Sequence, residues 1–147
     1  MIKVIEIDPV AKPRMTQSDK WGKRKCVQEY WRYKDELKLK LGSFTLFDYD
    51  YHLTFILPMP KSWSLKKRDS HNLTPHQQTP DKDNLEKGFL DALFTQDSHI
   101  WDGRVTKLWG KSGRIVIEQV SDSSIIDRII RHMKQVGIMS CLLKPQA

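Results

Sequence analysis

The sequence predicts an α+β (mixed α/β) fold, a single small domain in which a mixed sheet is flanked by helices. Three observations carry this. Residues 47–57 alternate apolar and polar side chains, three other segments place apolar residues at helical spacing, and the two kinds of segment are interleaved over 147 residues. That length is one domain's worth and can bury a core without disulfides or structural metal. Residues 1–120 form the body of the domain, and 121–147 read as a C-terminal helical extension of it.

The elements follow in order. IKVIEI at 2–7 is a short β-rich run and the first strand. CVQEYWRYKDELKLKLG then carries Val27, Tyr30, Trp31, Leu37 and Leu41 on one helical side, with Gly42 available as a left-handed stop. In the next run Phe47, Tyr49, Tyr51, Leu53, Phe55 and Leu57 share one face, while Asp48, Asp50, His52 and Thr54 share the other. This is a half-buried strand, whose aromatic face reads as core. Residues 58–80 are rich in proline, serine and basic groups, and a loop of that length is functional or disordered. A short helical turn fits at 64–68, and a helix follows from about Asn84 to Phe94, with Leu85, Phe89, Ala92 and Leu93 as its buried stripe.

RVTKLW and RIVIEQV flank GKSG, which reads as a hairpin with a glycine-bounded turn. SSIIDRIIRHMKQVG gives a last helix, with Ser124 as its cap, Ile125, Ile126, Ile129, Ile130 and Met133 on its apolar side and Gly137 at its end. It is expected to cover the sheet or to add to an oligomer interface.

Bulk composition narrows the function. Cys26 and Cys141 are isolated thiols without metal-ligand spacing, so neither a disulfide framework nor a zinc site is suggested. No run is long enough to span a bilayer and the first residues lack a signal-peptide core, so a cytoplasmic location, with no membrane partner, is expected. A formal net charge of +7 favours a polyanionic partner. Residues 12–25, KPRMTQSDKWGKRK, concentrate that charge. Arg14, Lys20, Lys23, Arg24 and Lys25 are candidate phosphate contacts, and Trp21 could stack on an unpaired base or simply anchor the loop. Lys66, Lys67 and Arg68 form a second, weaker patch.

The chemistry is concentrated in TPDKDNLEKGFLDALFTQDSHIWDGRV, residues 79–105. Asp81 and Asp83 stand two apart ahead of an amphipathic helix. Like charges at that spacing need something positive between them: a helix cap, a metal ion, or both. Asp83 with Glu86 three residues later resembles a capping box, which explains Asp83 but neither Asp81 nor Lys87. A calcium loop is excluded, because its glycine and bidentate-glutamate positions fall on Glu86 and Ala92. Magnesium takes a few carboxylates and completes its shell with water and phosphate, which suits such a cluster. By itself Asp102 is an ordinary Asp-Gly turn residue. Asp91 reads as a structural or solvated charge, and His99 as an ordinary loop histidine.

PDKDNLEKGFLDAL followed by IWDGRV, with KPRMTQSDKW near the start and YWRYKDEL after it, resembles the RusA family of Holliday junction resolvases, particularly phage and prophage members. The resemblance runs from about Lys12 to Val120. It implies a catalytic set of Asp81, Asp83, Asp102 and Lys87, with the three aspartates as ligands of magnesium or, in its place, manganese. Trp101 stands where the family often has a further acid. It also implies a homodimer that binds four-way DNA junctions and nicks two opposed strands, within a bacterial or phage-infected cell. Two rivals remain: a non-catalytic DNA-binding module, and a flap or replication-fork nuclease with the same metal site.

Overall fold

A computed structural model describes residues 2–21, 24–46, 50–119 and 124–136. Their order is β1 (Ile2–Glu6), a 3-10 turn (Gln17–Trp21), α1 (Lys25–Leu41), β2 (Tyr51–Pro58), α2 (Leu65–His71), α3 (Lys82–Leu93), β3 (Gly103–Gly110), β4 (Arg114–Gln119) and α4 (Ser124–Gln135). The α+β expectation holds: four strands form one mixed sheet in the order β1-β4-β2-β3.

The expected hairpin does not form. β3 and β4 both pair with β2, β3 in parallel and β4 antiparallel, so the most apolar strand lies between them. Residues 111–113 therefore carry the chain past the end of β2 instead of closing a tight turn. The glycines on either side of GKSG serve close approach rather than a hairpin turn. A Cβ on Gly110 would fall 2.2 Å from Ile56 Cγ2, and one on Gly113 would fall 2.1 Å from Asp8 Oδ1. Local turn chemistry was legible, but the competition between partners for β4 was not.

Alternation along β2 holds where it is described. Tyr51, Leu53, Phe55 and Leu57 are buried, and His52, Thr54 and Ile56 are half-buried on the opposite face. The strand starts at Tyr51 because Asp50 has φ 49°, which breaks the extended run; residues 47–49 lie outside the described residues. Helices α1 and α3 cover the inner face, where Tyr30, Leu37, Leu85 and Phe89 join Leu53, Phe55, Ile115 and Ile117 in one core. Phe55 and Phe89 meet edge to face at 6.3 Å between ring centroids. Helix α1 ends at Gly42, whose φ of 58° is the positive value expected, although its ψ of −122° is not that of a left-handed helix.

Residues 58–80 are ordered by β3. The short helix α2 is capped by the Ser64 hydroxyl, which accepts from the Lys67 amide at 3.2 Å. Beyond it, Leu73 N donates to Trp109 O, Trp109 N to Thr74 O and His76 N to Lys107 O, so this segment lies along the free edge of β3. Trp109 stacks on Trp63 and on His76, with centroids 4.9 and 3.9 Å away.

Helix α4 forms over the predicted residues, but Ile126 and Ile129 stay about half exposed, so the expected burial against the sheet is absent on that side. The side chains of Ser124 and Ile125, together with Gly137 and Cys141, lie outside the described residues. No helix among the described residues is long and apolar enough to cross a membrane.

Because Phe89 is fully buried against Phe55, Phe89→Ala should lower unfolding stability by about 3–5 kcal/mol. Urea titration followed by circular dichroism measures it, and a loss under about 1 kcal/mol would contradict the packing described.

Candidate active site

Helix α3 begins two residues earlier than its apolar pattern suggests, and this reassigns its first acids. Asp81 occupies the N-cap position, with φ −69° and ψ 146°, and its backbone carbonyl accepts from the Leu85 amide at 3.1 Å. Its carboxylate makes no capping hydrogen bond. Asp83, expected to cap the helix, instead lies in its first turn. Both acids are exposed at the amino-terminal end of the helix. The approach to Asp81 is fixed from β3: the Lys107 ammonium donates to the carbonyls of Gln78 and Pro80, each at 2.7 Å.

Asp102 reaches the same region by another route. It precedes β3, and Asp50 precedes β2, while Tyr51 and Gly103 are register partners in the parallel ladder. Asp102 Oδ2 accepts the Asp50 backbone N–H at 3.0 Å, which fixes one carboxylate oxygen. Gly103 is required here, because the Tyr51 ring lies against it and a Cβ would fall 2.2 Å from the ring. The Asp-Gly pair thus joins two strand starts.

Among the described residues no three His, Cys, Asp or Glu side chains converge at metal-binding distance, so Asp81, Asp83 and Asp102 are not drawn into one ligand group. The donor chemistry nevertheless fits a hard divalent cation. Two exposed acids stand two residues apart at the helix start, and the carboxylate of Asp81 is unused in capping.

Asp83 and Lys87 share a concavity with Tyr51, Glu86 and Asp97. Lys87 turns toward the C-terminal end of α3, where its ammonium donates to Asp97 Oδ2 at 2.8 Å and lies 3.7 Å from Asp91 Oδ1. The hydrogen bond to Asp97 raises the lysine's pKa and holds the Asp97 carboxyl below its usual range. Tyr51 donates to Glu86 Oε1. Burial, then the bond to Glu86, pushes the tyrosine's pKa up, with Asp102 and Asp97 adding to the effect. The phenol therefore stays protonated as a donor.

Tyr51, Glu86 and Asp97 were missed by sequence reading. Alternation marked Tyr51 as core, which its ring is; Glu86 was absorbed by the capping-box pattern, and Asp97 carried no motif. Asp91 is structural, as expected, but it also accepts from Lys12 Nζ and so ties the N-terminal segment to α3. That segment crosses α3 at Gly88, where a Cβ would meet Val10 O at 3.0 Å and Lys12 N at 3.1 Å.

Within the basic segment, the groups expected to contact DNA divide. Trp21 is 72% exposed, with Lys20 over its ring at 5.6 Å, and Arg14 is exposed. Arg24 is engaged: it donates to both carboxylate oxygens of Asp19 and to the Arg14 carbonyl. Lys25 lies 3.7 Å from Glu29, and Lys23 is outside the described residues. Arg24's hydrogen bond holds the Asp19 carboxyl far below the usual carboxylate range. His99 packs edge-on against Phe94.

A mixed sheet with Asp81 and Asp83 at the start of one helix and Asp102 just ahead of one strand defines a small α+β protein with acidic side chains at two element starts. The family model for endodeoxyribonuclease RusA matches residues 6–119, and the chain belongs to that family. It is therefore a nuclease by family, and the resemblance to that family is borne out. No curated protein matches the chain.

The depressed carboxyls set the acid side of stability. A group whose folded pKa lies below its unfolded value stabilises the fold above the unfolded value, near 3.8, and that stability is lost as pH falls through the folded pKa. Asp19→Asn with Asp97→Asn should therefore flatten the fall in melting temperature on acidification below about pH 4. Melting curves at stepped pH measure this, and wild-type-like slopes in the double variant would refute it.

Proposed function

We propose that the chain is a magnesium-dependent, structure-selective endodeoxyribonuclease that resolves four-way DNA junctions in recombination and repair by paired, symmetric nicks. The observation that carries this reading is Asp81: it stands at the N-cap, two residues ahead of Asp83 in the first turn, yet its carboxylate is not spent on the cap. The family match supports phosphodiester chemistry on DNA.

Asp81, Asp83 and Asp102 would hold the cation, with manganese as a substitute for magnesium. When bound, it supplies Lewis acidity toward a phosphate oxygen and lowers the pKa of a ligated water. The rest falls to this chain's own residues. Asp102 offers its second oxygen while the Asp50 amide fixes the first. Lys87, kept charged by Asp97 and Asp91, brings positive charge to the phosphate as negative charge builds on it. Tyr51, donating to Glu86, steadies the wall from which Lys87 projects. Water oxygen bonds to phosphorus as the bond from phosphorus to the 3′-oxygen breaks, leaving a 5′-phosphate and, after protonation, a 3′-hydroxyl.

Paired symmetric cuts need two equivalent sites, and each chain offers one such cluster, so the active form is a homodimer. Junction geometry is then read by the shape of the dimer.

The deciding assay uses a mobile four-way junction beside matched linear duplex and flap substrates, with magnesium or with EDTA. Paired nicks are expected on the junction, lost in EDTA. Asp83→Asn should reduce them by more than about 100-fold, beyond the 10- to 100-fold typical of a residue outside the ligand shell. Binding without cutting under every condition would leave a DNA-binding module, and preferential cutting of flaps would replace the substrate.

A further inference from the structure

A groove of about 510 Å³ lies between α1 and the C-terminal end of α3. Its α1 wall presents Trp31, Lys34 and Lys38, three and four residues apart and therefore on one helical face. Residues 91–95 supply the opposite wall, and Lys12 contributes from the N-terminal segment. Trp31 is 39% exposed, and the Lys34 ammonium sits 5.5 Å over the Tyr30 ring. The lone carboxylate of the lining, Asp91, is already met by Lys12 and Lys87. With Lys12 paired to Asp91, Lys34 and Lys38 leave the groove positive.

We infer that this groove binds one strand of nucleic acid, with Lys34 and Lys38 on successive phosphates and Trp31 stacked on a base. The inference rests on the nuclease reading for the identity of the polymer. It adds a second binding surface, on α1, which meets the basic segment at Lys12 and Met15.

Three features favour a nucleic-acid strand over an acidic peptide. An exposed indole stands in line with the lysines, where a π-face has a base to meet. Lys34 and Lys38 are offset by about 6 Å along the helix, one turn apart. Asp91 lines this groove and pairs with Lys87, so the groove adjoins the Lys87 side of the candidate site.

The test is binding, in EDTA so that nothing is cut, of a fluorescent single-stranded oligonucleotide and of a four-way junction to the full chain at several salt concentrations. Lys34→Gln with Lys38→Gln should weaken oligonucleotide binding by at least about five-fold and lower the magnitude of the salt slope by about 1.4, or 0.7 for each lost phosphate contact. The charge-matched pair Lys61→Gln with Lys111→Gln, outside the groove, should retain the wild-type slope. In a Trp21→Phe background, Trp31→Phe should remove most of the remaining tryptophan quenching that the oligonucleotide causes. Melting curves confirm that each variant is folded.

Wild-type affinity and slope in the Lys34/Lys38 variant would overturn the groove while leaving the nuclease reading intact. Absence of binding to either DNA by the wild type would overturn both. Tighter binding of an acidic peptide than of the oligonucleotide, lost in the same variant, would replace the strand with a protein partner.

Discussion

The structure depends on one constraint: β2 lies between β3 and β4 and satisfies both. Its inner face supplies Leu53, Phe55 and Leu57 to the core, and its two edges impose opposite directions on their neighbours. The parallel pairing with β3 has the larger chemical consequence. It brings the starts of two strands side by side, so Tyr51 meets Gly103 and the Asp50 amide meets Asp102. A hairpin of β3 with β4 would instead have placed β4 on the edge of β3 that residues 73–76 occupy.

Helix α3 transmits the same constraint to the other acids. Leu85 and Phe89 bury its inner side, which turns Asp83, Glu86 and Lys87 toward the concavity beside Tyr51. Lys107, one strand away, grips the two carbonyls ahead of Asp81, and the segment along the β3 edge holds that approach in place. A long connection that composition alone reads as mobile is thereby a buttress. Its order comes from backbone groups of an otherwise open strand edge, which must find partners.

Charge is arranged in a chain rather than as isolated pairs. Lys12, Asp91, Lys87 and Asp97 alternate in sign from the N-terminal segment to the rim of the candidate site. Asp19 and Arg24 close the basic segment on itself in the same way. Such pairs contribute little stability at a surface, but they orient long side chains that would otherwise sample many rotamers. This explains why basic residues that look equivalent in sequence differ in availability: Arg24 is committed, whereas Trp21 and Lys20 face solvent.

The sequence by itself determined the mixed fold class, the placement of both main helices within a few residues, the alternating faces of β2, and the acids at the start of α3. Those features are local: they follow from periods of 2 and 3.6 and from the chemistry of a few neighbouring side chains. The family resemblance was equally legible, because its motif is contiguous around one helix. Tertiary structure alone decided that β4 leaves β3 for β2, that Asp81 rather than Asp83 holds the cap position, and that Tyr51, Glu86 and Asp97 border the site. Each of these depends on which distant segment wins a shared partner, through buried area, backbone pairing or an ion pair, and no local pattern records that competition.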